Sequence, residues 1–270
     1  MYHQPIFNFK CYYFMIYKEV KMKKIISVLI SVIVLISCIA MPSYADKIQS
    51  GTTVLTREIN IDKYDSNELV KRISDGTIAE DEFTKIDIQC EETSECKVTT
   101  ITISELKERK IVQGIPVESY VQQTIATRAA GQASISNPYQ GGQNSFTLNY
   151  KLYFDKLNYK NGNLYKITGM TGSYTNVVGR LSFKKLELYC GASSDAYVST
   201  TQRVGWRSEN ASRTVNAPMT SGEPYSKNVN FNYYYYDEPT GASMGGNATI
   251  YYTVSNQTTQ HSFTASIDII

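Results

Sequence analysis

Phe146, Leu148, Tyr150, Leu152 and Phe154 alternate with Thr147, Asn149, Lys151, Tyr153 and Asp155. Only an extended chain puts every second side chain on one face, so this run specifies a β-strand with one apolar side. Asn161-Gly162 follows as a hairpin turn. It leads into an expected strand over 164–175, where Gly169 and Gly172 weaken or bulge the ladder. Leu181 and Phe183 are out of phase with Leu186, Leu188 and Cys190, which predicts a bulge around Lys184-Lys185. Further strands are expected at 197–206, 229–236, 248–254 and 263–269. The last two form a hairpin, with Ala248, Ile250, Tyr252 and Val254 on one face and Phe263, Ala265, Ile267 and Ile269 on another. Evenly spaced strands without helical patterns between them predict an antiparallel β-sandwich over 145–270, with a barrel as the alternative.

Upstream, residues 46–130 read as a small mixed α/β region. Asp65-Ser66-Asn67-Glu68 has the form of a helix N-cap, Leu69, Val70 and Ile73 supply an apolar stripe, and Gly76 can end the helix. Ile86, Ile88 and Cys90, then Cys96, Val98, Ile101 and Ile103, predict a β-hairpin with a slip of one residue. Residues 105–110 read as a helical turn. The stretch 131–144 is rich in turn formers and poor in apolar residues, and is expected to be a linker.

The front of the chain has a different character. Lys21, Lys23 and Lys24 precede an apolar run from Ile25 to Ile36, which is too short for a comfortable membrane span. Met41-Pro42-Ser43-Tyr44-Ala45 supplies the small residues of a cleavage site, so 22–45 reads as a bacterial signal peptide cut after Ala45 and the protein as secreted. Leu35-Ile36-Ser37-Cys38 resembles the lipobox of bacterial lipoproteins, which implies an alternative, lipid-anchored form beginning at Cys38. Residues 1–21 are unpatterned, and Lys18-Glu19-Val20 is what a ribosome-binding sequence spells in frame. They are expected to be an extension upstream of a true start at Met22.

Cleavage removes Lys10, Lys18, Lys21, Lys23, Lys24 and Glu19, so Lys+Arg falls from 27 to 22, Asp+Glu from 25 to 24, and the net charge from +2 to −2. A nearly neutral chain lacks the basic footprint of a nucleic-acid binder. Cys90 and Cys96 flank a polar link between two strand-like runs, so a disulfide closing that hairpin is one expectation and unpaired thiols the other.

Acid–base catalysis needs a titratable group poised beside a nucleophile or metal. After Ala45 the only histidine is His261, on the same strand face as Phe263, and it reads as an edge or core residue; a Cys190–His261 dyad is the catalytic alternative. Esterase, zinc-protease, P-loop and dinucleotide motifs are missing, so no catalytic residue, metal site or cofactor is expected. Trp206 reads as core.

Tyrosine is the compositional signal: 15 of 22 lie beyond Pro138. In 229–236 the odd positions continue an apolar face, which directs Tyr234 and Tyr236 to the other side with Asn230 and Asn232. Tyr153 and Tyr251 are likewise on the polar side of their strands. Aromatic rings beside amides suit stacking on sugars and also protein contacts. The chain is therefore expected to be a secreted, non-catalytic binding protein of a Gram-positive-type bacterium whose partner is a glycan, the cell envelope or a protein surface. The alternative is a secreted membrane-active toxin or bacteriocin-like protein. A membrane partner is expected only in that case or if Cys38 is lipidated.

Overall fold

The computed structural model describes residues 52–54, 61, 64–92, 96–112, 114–129, 145–254 and 257–270. The expected signal peptide, the expected start at Met22, Cys38 and the expected linker 131–144 lie outside the described residues. The chain is mainly β, an open antiparallel sheet with one helix among those residues.

The strands are β1 (Thr52–Val54), β2 (Thr84–Glu92), β3 (Lys97–Val112), β4 (Ile115–Ala129), β5 (Ser145–Tyr159), β6 (Gly162–Val178), β7 (Leu181–Ser199), β8 (Gln202–Asn216), β9 (Tyr225–Asn228), β10 (Tyr234–Tyr236), β11 (Ser243–Val254) and β12 (Gln260–Asp268). The sheet runs β1-β3-β4-β5-β6-β10-β7-β11-β12, with β2 on β3, β9 on β6 and β8 on β7. β4 and β5 pair from Glu118 opposite Lys156 to Arg128 opposite Phe146. The sheet therefore passes without a break from the 46–130 region into the 145–270 region, and Ser50–Ile270 is one compact unit.

The alternating run in β5 lies where its pattern directs it. Phe146, Leu148, Tyr150, Leu152 and Phe154 enter the largest apolar cluster, with Leu186, Leu188, Ala248 and Ile250 of β7 and β11. Strands β11 and β12 come back over β4 and β5. Across that core the Tyr150 hydroxyl donates to the Tyr189 carbonyl at 2.8 Å, and the Thr124 hydroxyl to the Ser266 carbonyl at 3.0 Å. Gly246 permits the approach, because a methyl group there would overlap the Tyr150 hydroxyl.

Helix α1 (Ser66–Ser74) covers part of the opposite face. Asp65 caps it by accepting from the backbone N–H groups of Asn67 and Glu68, and Gly76 at φ 74 follows its end. Leu69 and Val70 pack on Ile101, Ile103, Val121 and Ile125. The expected hairpin slip between Val98 and Ile101 is not present. Thr99 takes a buried slot, β2 and β3 stay in register, and the irregularity falls between Leu106 and Glu108 instead. Residues 105–110, read as a helical turn, are strand, because they pair with β4 on both sides of that irregularity. The expected bulge at Lys184 is found, as the register against β11 skips it. The strand expected at 197–206 contains the turn between β7 and β8, and only Tyr234–Tyr236 of 229–236 is strand.

Candidate functional site

The second face of β5 is polar and yet covered. Thr147 and Asn149 are almost fully buried. Buried polar groups need partners, and these have them: Thr147 shares a hydroxyl contact of 3.1 Å with Thr127, and the Asn149 carbonyl oxygen accepts from the Ser66 hydroxyl at 2.6 Å. Ser66 opens α1, so that bond ties the helix to the sheet. The Asn67 and Asn176 amides pair with each other and add a second tether, and Asn176 also donates to Thr147 at 3.3 Å.

Beside this junction lies a groove of about 510 Å³, within the size range of small-ligand sites. Its floor comes from four strands and the segment before β9. Gln123, Lys151, Thr171 and Ser226 are successive cross-strand partners on β4, β5, β6 and β9, so their side chains form one row across the sheet. Asn149 and Ser173 form the parallel row beside it. Tyr64 and Tyr153 supply rings, and Pro224 an apolar edge. The Tyr153 ring lies along Gly169, where a methyl group would sit 3.5 Å from its Cδ2.

Gln123 is the exceptional member of the floor. It is 2% exposed, and its Oε1 has no hydrogen-bond partner. An unpaired buried carbonyl costs about 1–3 kcal/mol. The terminal amide torsion of glutamine is soft, so a small turn presents the group to the groove. The charged lining groups are Asp65 and Lys151, and Asp65 is engaged in the helix cap. What lines the groove is otherwise hydroxyls, amides and two phenol rings, an arrangement that can hold a polyhydroxylated ligand by many weak bonds.

Of the residues singled out in the sequence, Tyr153 is in this groove and the others are elsewhere. Tyr234 and Tyr236 do not face outward with the asparagines. They pack in a separate cluster with Val117, Leu157, Leu164 and Tyr197, where Tyr236 meets Tyr159 at 5.3 Å, and burial raises the pKa of Tyr234 and of Tyr236. The alternation read from Val229 persists, since Val229, Phe231 and Tyr235 enter the largest apolar cluster and Tyr233 packs against it. What differs is that the other side is covered at Tyr234 and Tyr236. Glu209 holds the bend before β10: its carboxylate accepts from the backbone N–H groups of Asn232 and Tyr233, from the Asn232 amide at 2.8 Å and from the Tyr235 hydroxyl at 2.8 Å. Asn230 is exposed. Tyr251 lies on the outer side of β11, donating to Glu187 at 2.9 Å beneath the Lys185 ammonium.

Cys90 and Cys96 are not bridged. Cys90 stands opposite Thr99, three positions past Cys96, so the offset along the strand is about 10 Å and exceeds disulfide reach. Burial pushes the Cys190 thiol up to about 11, which opposes thiolate formation. The β11 partners of Cys190 and His261 are Gly246 and Tyr252, six residues or roughly 20 Å apart, so the two form no dyad. His261 stacks on Tyr252 at 5.5 Å. Trp206, read as core, is 47% exposed on edge strand β8, its indole N–H donating to Ser193 at 3.2 Å.

Sequence reasoning missed Gln123, Asn149, Lys151, Thr171, Ser173 and Ser226. The available signal was the odd face of the clearest strand, where Thr147, Asn149 and Lys151 stand between strong strand formers. Comparison of the chain with protein-family models, with curated proteins and with solved structures finds no match in any of the three.

Proposed function

We propose that the protein is a secreted, non-catalytic binding protein that holds a glycan in the groove between α1 and the polar face of β4, β5 and β6. The observation that carries this reading is Gln123, a buried amide on the groove floor with an unpaired acceptor, set among hydroxyls and flanked by two tyrosines. Sugars match that lining, because their hydroxyls both donate and accept while their C–H faces rest on aromatic rings. A non-catalytic role accords with a groove whose charged lining groups are Asp65, already capping a helix, and Lys151. The same reading treats the fold as a sandwich, β11 and β12 forming with β7 and β8 a layer over β3 to β6. Secretion, with cleavage after Ala45, rests on the sequence of residues 22–45.

A second reading, a membrane-active toxin, is favoured by one specific feature. Ile111 is 42% exposed at the end of the β3–β4 hairpin, Val112 is similarly exposed, and Ile115 behind them meets the cluster of Tyr159, Tyr197, Tyr234 and Tyr236. Exposed aliphatic side chains ahead of tyrosines suit a bilayer interface.

Two measurements separate the readings. Binding of the protein to an array of neutral and amino-sugar glycans is expected, with loss of signal in Tyr153→Ala. Release of dye from lipid vesicles at protein concentrations that leave the array blank supports the toxin and refutes glycan binding.

A further inference from the structure

The groove does not end at the row formed by Gln123, Lys151, Thr171 and Ser226. A second depression of about 360 Å³ lies next to it, between residues 168–171 of β6 and residues 226–228 of β9, and Tyr153, Thr171 and Ser226 line both. Thr171 and Ser226 are direct cross-strand partners, and their hydroxyls meet at 2.8 Å, so between them they form a low ridge of two short side chains. The next row along the strands is Tyr153, Gly169 and Asn228, again successive partners. Gly169 contributes no side chain, and the Tyr153 ring lies along it. Lys227 does not compete for a ligand in the second lobe, because its ammonium is held by the Ser212 carbonyl at 2.7 Å.

Resting on the glycan reading above, we infer that the ligand is a linear oligosaccharide lying across the strands, with sugar units in both lobes and Tyr153 at their junction. From Gln123 to Ser226 the floor spans three strand spacings, about 14 Å, which is longer than one pyranose ring. A single sugar placed over Gln123 leaves the second lobe and its Asn228 amide unused. A chain crossing the ridge adds contacts at Tyr153, which faces both lobes, and at Asn228. The ridge hydroxyls already bond to each other, so crossing them orphans neither.

Calorimetric titration with glucose, N-acetylglucosamine and their β-1,4-linked dimers, trimers and tetramers tests the length claim. A tetramer is expected to bind at least about tenfold tighter than its monomer. Ser226 is exposed, so Ser226→Trp raises the ridge without entering the core; it should weaken the tetramer more than the monomer, removing that gain, and leave the unfolding midpoint unchanged. Asn228→Ala, also at an exposed position, should weaken the tetramer several-fold and the monomer not at all. Equal affinities for monomer and tetramer overturn the two-lobe proposal while the glycan reading stands. So does a tetramer affinity indifferent to both variants. No binding at any length, with a blank glycan array, removes the glycan reading and this inference together.

Discussion

Both faces of β5 are buried over residues 146–150, but by different chemistry, and beyond them the second face is only half-buried. One carries Phe146, Leu148, Tyr150, Leu152 and Phe154 into a dry core. The other carries Thr147 and Asn149 under the start of α1 and then Lys151 and Tyr153 into the groove. The first face stabilises the fold by removing carbon from water, at roughly 25 cal/mol per Å². The second gains little from burial, since each of its polar groups must exchange a bond with water for one inside the protein. Burial kept without apolar gain is the feature on which the proposed binding role rests. The comparison teaches that the site stands out as a covered polar face and not as an exposed aromatic one.

The strongest way to break the comparison is to cut into the dry face. Leu152→Ala should destabilise by about 2–5 kcal/mol, and Ile267→Ala on β12 by a similar amount, since both side chains are fully buried. Thr264→Ala and Ser266→Ala, at exposed positions on the same strand as Ile267, should change stability little. Chemical denaturation of the four variants measures this, and equal losses on the two faces of β12 would disprove its alternation.

The next effect in size lies on the polar face. Asn149→Ala removes the acceptor of the Ser66 hydroxyl at a buried site, and leaving such a group unpaired costs about 1–3 kcal/mol. The loss should be local first. Hydrogen exchange in α1 should accelerate more than exchange in β7 or β11, because Ser66 and Asn67 tether the helix to the sheet through Asn149 and Asn176. Uniform acceleration across all strands would mean that the tether is part of the global core.

Glu209 gives a smaller, pH-dependent effect. Burial alone would raise its pKa, but the bonds from Asn232, Tyr235 and Tyr233 outweigh burial and hold it below the ordinary carboxylate value. A depressed folded pKa means that the stabilisation is fully present above the unfolded value, about 4.3, and is lost as pH falls through the folded value. Wild type should therefore lose stability in acid more steeply than Glu209→Gln below about pH 4. Parallel acid profiles for the two proteins would show that the carboxylate does not hold the bend before β10.

Much of the fold was legible because strand periodicity is local. The run in β5, the cap at Asp65, the bulge at Lys184 and the β11–β12 hairpin are all written in adjacent residues. The site was not legible for the opposite reason. Gln123, Lys151, Thr171 and Ser226 come from four strands, and only the register between strands places them in a row. Tyr234 and Tyr236 do take the side opposite the apolar one, but Val117, Leu157, Leu164 and Tyr197, from four other strands, cover that side. Periodicity gives the side on which a residue lies and not what comes from a distance to cover it.

The smallest stability effect is expected at Gln123. Gln123→Met keeps an unbranched side chain of similar length and removes the buried carbonyl that has no partner. Relief of that unpaired group, about 1–3 kcal/mol, works against whatever packing the thioether side chain loses in the same slot. The unfolding midpoint should therefore stay close to that of wild type, or rise, while glycan affinity falls by about tenfold, the equivalent of about 1.4 kcal/mol. Asn149→Ala should behave in the reverse manner, losing stability before affinity. If Gln123→Met instead unfolds the protein as Leu152→Ala does, the amide belongs to the structural core, and the polar face of β5 differs from the dry one only in composition. If it keeps both stability and affinity, the ligand does not reach the floor of the groove.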